Sequence, residues 1–141
     1  MRSKDFYKII EHTADIGIEV VASDAQGIFV NSGLAVFDMM FGLESIARKQ
    51  QRVLEVTGGD LAELLVAWLN ELLYVYAVDR MLFCEFADVE LHEERFRATG
   101  IGEEFDPERH RVQMEIKAAT YHGLSLESQE GLWKTKIIFD V

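Results

Sequence analysis

The segment from Leu61 to about Val78 constrains the fold more than any other part of this chain. Glu63, Ala67, Asn70, Glu71 and Tyr74 fall at i, i+4, i+7, i+8 and i+11, one narrow stripe at helical spacing. Nearly everything else in the run is Leu, Val, Trp68 or another apolar residue. A helix apolar over that much of its circumference has to be enclosed. Glu63, Asn70 and Glu71 make it too polar to face lipid, so the enclosure must be protein and no membrane is expected as partner. Asp60 followed by Glu63 supplies the cap-and-reach-back pattern that starts it.

The remaining chain must therefore provide a cover, and its periodicity says which kind. Ser23 with Gln26 forms a capping-box pattern, predicting a first helix that runs to about Phe41 and stops at Gly42. Its polar or small positions Gly27, Asn31, Ala35 and Asp38 recur at helical spacing, leaving the rest of the surface for burial. Phe6–Ile10 and Ile16–Val20 read as strands, separated by the polar Glu11–Ala14, and Val53–Val56 as a third. After Met81 the period changes. Met81–Leu91, Phe96–Glu104, Val112–Ala119, Leu124–Leu126 and Leu132–Phe139 suit strands, with turn signals at Asp106-Pro107, His122-Gly123 and Glu130-Gly131. The expectation is an α+β fold: a mixed, mainly antiparallel sheet with the two helices packed on one face, in a single two-layer domain spanning 1–141.

Charge and composition exclude several functions. Fourteen Lys and Arg against 25 Asp and Glu give a net charge of −11. That is the wrong sign for phosphate neutralisation, so little direct nucleic-acid binding is expected, and a basic protein or bound cations are the natural partners. Cys84, the single cysteine, precludes an intramolecular disulfide and fits a reducing compartment. The run Met1–Lys8 lacks a signal-peptide core, which points to the cytoplasm. No P-loop is present, and Gly100-Ile101-Gly102 is not followed by a helix as a dinucleotide fingerprint would be. His92-Glu93 has no second histidine four residues on, and Cys84 between Phe83 and Phe86 reads as a structural thiol. The chain is expected not to be an enzyme.

Two places hold unused chemistry. Glu11-His12-Thr13-Ala14-Asp15 interrupts two strand-like runs with polar groups, either as a turn in which Thr13 or Asp15 bonds local amides or as a set of metal ligands. Asp140-Val141 follows the core-type run Ile137-Ile138-Phe139 and brings a side-chain and an α-carboxylate together. Two such anions repel unless a cation or basic partner lies between them, and their oxygens suit calcium or magnesium; the alternative is a solvated terminus. His110, in a loop after Pro107, reads as exposed or functional, and Lys117 as solvent-facing. Tyr121-His122 is left open between capping and packing, and Trp68 and Trp133 read as packing residues.

Four blocks of the chain together resemble the archease family: His12-Thr13-Ala14-Asp15-Ile16-Gly17, Trp68-Leu69-Asn70-Glu71-Leu72-Leu73, His110 with Glu115-Ile116-Lys117-Ala118-Ala119-Thr120-Tyr121-His122, and Phe139-Asp140-Val141. Val141 departs from a common isoleucine. The resemblance implies a small protein that assists the GTP-dependent tRNA-splicing RNA ligase, promoting guanylylation of its histidine and repeated turnover. A chaperone-like role toward tRNA-modifying enzymes is also associated with the family. It further implies a divalent cation, calcium with magnesium or manganese as alternatives, on Asp15, Asp140 and the carboxylate of Val141. His12 and His110 are then candidates for orienting those carboxylates. Asp15 and Asp140 can share an ion only if the first and last strands are neighbours in the sheet. A metal-dependent hydrolase on the same carboxylates and a holdase with an acidic surface are the rival functions.

Overall fold

A computed structural model describes residues 3–11 and 15–141. After a 3-10 turn at Ser3–Phe6 come β1 (Tyr7–Glu11), β2 (Ile16–Ala22) and α1 (Ala25–Phe41). A second 3-10 turn, Leu43–Ser45, leads to β3 (Gln50–Thr57), α2 (Leu61–Asp79), β4 (Met81–His92), β5 (Arg95–Glu104), β6 (Ala118–Gln129) and β7 (Leu132–Asp140).

α2 is enclosed as its sequence requires. Leu64, Leu65, Trp68, Leu69 and Leu72 are wholly buried, while Glu63 and Tyr74 of the polar stripe reach solvent. Asp60 caps the helix by accepting from the Glu63 amide at 2.8 Å. The Trp68 indole donates to the Phe29 carbonyl of α1 at 2.9 Å, so the largest buried side chain leaves no orphan donor. α2 is long and apolar enough to cross a membrane, but its leucines from Leu64 to Leu73 and Trp68 are buried in protein, with Tyr74 and Val78 left exposed.

α1 differs from expectation in two respects. Its cap is Asp24, which accepts from the Gly27 amide at 2.7 Å, and Ser23 stands one residue too early. A carboxylate next to the positive end of the helix dipole outcompetes the hydroxyl for these amides. The supposed polar side is also closed: Ala35 is wholly buried and Asp38 nearly so. Asp38 is stabilised there by the Tyr7 hydroxyl (2.7 Å) and the Leu43 amide (3.0 Å), each donating to one carboxylate oxygen.

The strands form two sheets instead of one, and every described pairing is antiparallel. Their orders are β1-β2-β7-β6 and β3-β5-β4. Each helix packs against both sheets, α1 on β2 and β4, α2 on β6 and β3. One core results, joining Ile18 and Phe139 of the first sheet to Leu54, Phe83 and Phe96 of the second. The α+β class therefore holds, with the helices joining two sheets instead of backing one.

The stretch Val112–Lys117, expected to open a strand, forms neither strand nor helix. The Gln113 amide instead donates to Met40 O at the end of α1 (2.7 Å), where a carbonyl lacks its helical partner. The His122-Gly123 turn signal is a bulge inside β6. Gly123 adopts φ 70, and the register against β7 shifts between Thr120 and Ser125. Glu130-Gly131 is the expected turn, with φ values of 53 and 81 that close the β6–β7 hairpin.

Candidate functional site

The β2–β7 ladder runs from Ala22 opposite Trp133 to Ile16 opposite Phe139. Asp15 and Asp140 each flank that closing pair, so two acids from distant parts of the sequence become neighbours at one end of the sheet. The last strand does lie beside the strand that follows Asp15, but that is the second strand, β2; the first, β1, stands at the sheet edge on the far side of β2. Asp15 is half-buried, and Asp140 and Val141 are exposed. Neither aspartate side chain has a salt bridge or hydrogen bond among the described residues.

The strand behind Asp140 is braced from two sides. The Lys117 amide donates to the Asp140 carbonyl at 2.8 Å. Asn70 of α2 clamps Ala119, the second residue of β6: its side-chain oxygen accepts from the Ala119 amide (2.8 Å) and its NH2 donates to the Ala119 carbonyl (3.2 Å). Ala119 in turn pairs with Phe139. The sequence placed Asn70 in the polar stripe without a role. Its signal was an amide on an otherwise apolar helix, where a buried polar group needs a partner of its own.

As a cation site this edge has the right donor chemistry. Two aspartates flank the last pair of the β2–β7 ladder with no basic side chain paired to either, and hard oxygens fit calcium or magnesium. Among the described residues no three His, Cys, Asp or Glu side chains converge as metal ligands. The carboxylate of Val141 follows Asp140 directly, whereas His12, expected to orient these acids, lies with Thr13 and Ala14 outside the described residues.

His110 is placed otherwise than expected. It is neither exposed nor beside the aspartates: its side chain is wholly buried against Phe41 and Phe105. The Asp106 amide donates to its Nδ1 (2.9 Å), which leaves Nε2 to carry the proton and donate to Glu103 Oε2 at 2.8 Å. Both ring nitrogens are therefore engaged away from the acidic edge. Glu103, only 4% exposed, also accepts from the Ala47 amide (2.7 Å) and from Arg109, with Lys49 at 3.7 Å. Burial pushes the Glu103 carboxyl up, but Ala47, His110 and Arg109 together outweigh it and hold it below the usual carboxylate range. Sequence reasoning missed this cluster because Glu103 sits in a strand that also carries exposed Glu104.

The other singled-out residues stay modest. Lys117 is exposed as expected. Cys84 is half-buried with Sγ 3.5 Å from the Ile101 carbonyl, and burial followed by Glu85 pushes its thiol up, away from nucleophilic reactivity.

These features define a small α+β domain with an acidic sheet edge and a separate buried carboxylate cluster. Residues 7–141 match the model of the Archease protein family. The chain is 37% identical to the Protein archease of Methanosarcina mazei over 139 residues, 96% of this chain and 95% of that one. It is 35% identical to the Protein archease of Pyrococcus furiosus over the whole of both chains. Among solved structures it resembles a Methanobacterium thermoautotrophicum protein determined in solution, with a TM-score of 0.82, 29% identity and coverage of 96% of this chain and 99% of that one. A Thermotoga maritima archease crystal structure shares the fold at a TM-score of 0.68 and 20% identity, covering 95% and 96%. The chain belongs to the archease family.

Proposed function

We propose that this chain is a non-catalytic activator of the GTP-dependent tRNA-splicing RNA ligase, acting through a divalent cation at the Asp15–Asp140–Val141 edge. Family membership carries the reading, and the meeting of Asp15 and Asp140 beside the Ile16–Phe139 pair supports it. Calcium takes about six to eight oxygens, so these carboxylates supply part of a shell. A cation bound there supplies concentrated positive charge for phosphate oxygens of the ligase-bound nucleotide. The chain's own residues do the positioning. β2 and β7 set the spacing of the acids, while Asn70 and Lys117 hold the backbone behind Asp140. A net charge of −11 favours docking on a basic, RNA-binding enzyme over docking on RNA.

Multiple-turnover ligation of cleaved tRNA by the ligase from the same source tests this, run alone, with substoichiometric chain, and with Asp140→Ala. Stimulation by the wild type and not by the variant is expected. Equal stimulation by both would keep the partner and remove the acidic edge from the mechanism. A second reading, a chaperone-like adaptor that keeps tRNA-processing or tRNA-modifying enzymes soluble, is favoured by the Thermotoga maritima archease being described as a possible chaperone. It predicts that Asp140→Ala retains function, since the charge changes by one unit in eleven.

A further inference from the structure

A cleft of about 390 Å³ opens between the C-terminal part of α2, the end of α1 and the segment 112–117. Met40, Leu73 and Ile116 line it as buried apolar side chains. Arg80, Lys117 and Glu115, all exposed, are its charged members. Two cations against one carboxylate give a net positive lining in a chain of charge −11. Neither Arg80 nor Lys117 makes a salt bridge among the described residues. The Arg80 guanidinium lies over the rings of Tyr76 (4.5 Å) and Phe105 (5.0 Å), held by a left-handed backbone at φ 58 that ends α2. Cations left unpaired beside an apolar floor, in a protein with acids to spare, point to an external carboxylate.

We propose that this cleft docks a short acidic–apolar segment of a partner protein, with an apolar side chain on Met40, Leu73 and Ile116 and a carboxylate against Arg80 and Lys117. The volume lies in the range of ligand pockets, and a thioether wall adapts to side chains of differing shape. A nucleoside is disfavoured, because the buried lining has no side-chain donors or acceptors to read a base edge. The proposal does not rest on the ligase reading, although the amide of Lys117, on the Asp140 carbonyl, sets the cleft next to the acidic edge.

Panning a random-peptide phage library on the full chain, with counter-selection on Lys117→Glu, tests it. Enriched peptides should carry Asp or Glu within a few positions of Leu, Met or Phe. They should shift the methyl resonances of Met40 and Leu73 and bind about tenfold more weakly to Lys117→Glu, which alters an exposed side chain, and to Arg80→Gln, which also removes the contacts with the Tyr76 and Phe105 rings. Absence of enrichment, enrichment of basic peptides, or binding that leaves those methyl groups unmoved would overturn the proposal. So would methyl shifts produced by GTP or laurate and by none of the selected peptides.

Discussion

Replacing Glu103 with Leu tests whether the buried cluster holds the second sheet to the loops beside it. In the native protein the Glu103 carboxylate, 4% exposed, satisfies the Ala47 amide and His110 Nε2–H. Leucine strands both donors away from water, at ~1–3 kcal/mol each. Arg109 is exposed enough to regain water and adds little. The sum, ~2–6 kcal/mol, brackets the ~3–5 kcal/mol general cost of removing one partner from a buried charged pair, and it is a large part of the ~5–15 kcal/mol available to a domain. Gln keeps one acceptor oxygen and should lose only ~1–2 kcal/mol. Urea unfolding followed by tryptophan fluorescence reads both, and with m near ~2 kcal/mol/M the leucine midpoint falls by roughly 2 M. The carboxyl of Glu103 is held below its ordinary value, so its contribution is full above that value and is lost as pH falls through the depressed one. The acid limb should therefore be flatter in Glu103→Gln. A leucine loss below ~1 kcal/mol, or equal losses in Leu and Gln, would refute the reasoning, since satisfaction of the donors is what separates the two.

Burial, then the hydrogen bond to Asp38, pushes the Tyr7 hydroxyl above its ordinary value. Its contribution is full below that value and lost as pH rises through the raised one, so Tyr7→Phe should cost ~1–2 kcal/mol at neutral pH and flatten the alkaline limb of the stability curve. At Gly102 an added Cβ would stand 1.8 Å from the Leu82 carbonyl oxygen, a backbone contact that no rotamer relieves. Gly102→Ala should therefore part β4 from β5 and lose more than ~2 kcal/mol in thermal or urea unfolding. If the acidic edge holds calcium, a hundredfold excess over Kd stabilises the fold by ~2.7 kcal/mol. A calcium-dependent rise in Tm should then appear in the wild type and vanish in Asp140→Ala.

Much of this architecture was legible because the helices announce themselves locally. Asp60 and the stripe through Tyr74 gave α2 almost to the residue, since capping and amphipathicity act over a few positions. Val112, Met114 and Ile116 alternate as a strand should, yet their backbone is claimed by Met40 and Asp140, and no local pattern names a partner so far along the chain. The division into two sheets was hidden for the same reason, because period 2 reports an extended backbone and says nothing of which edge it joins. Of the candidate site, the motifs singled out Asp15 and Asp140, and the β2–β7 ladder brings their backbones to the same end of the sheet. The roles of Glu103 and Asp38 could not be named in advance. A buried carboxylate looks like any surface acid until the groups that stabilise it, here His110 and Tyr7, are brought to it.

The position of β2 between β1 and β7 also has a kinetic consequence. As the chain is made, β1 and β2 can form their hairpin early, but the other side of β2 waits for Leu132–Asp140. At ~5–20 residues per second, that leaves an unpaired edge bearing Ile18 and Val20 open for roughly 6–24 seconds. During that interval the nascent chain is open to strand addition by another chain and to capture by a chaperone. Closing so distant a pair also makes β7 addition a slow step for a domain of this size. Asp15 meets Asp140 only at that step, so an incomplete chain cannot present the acidic edge to any partner.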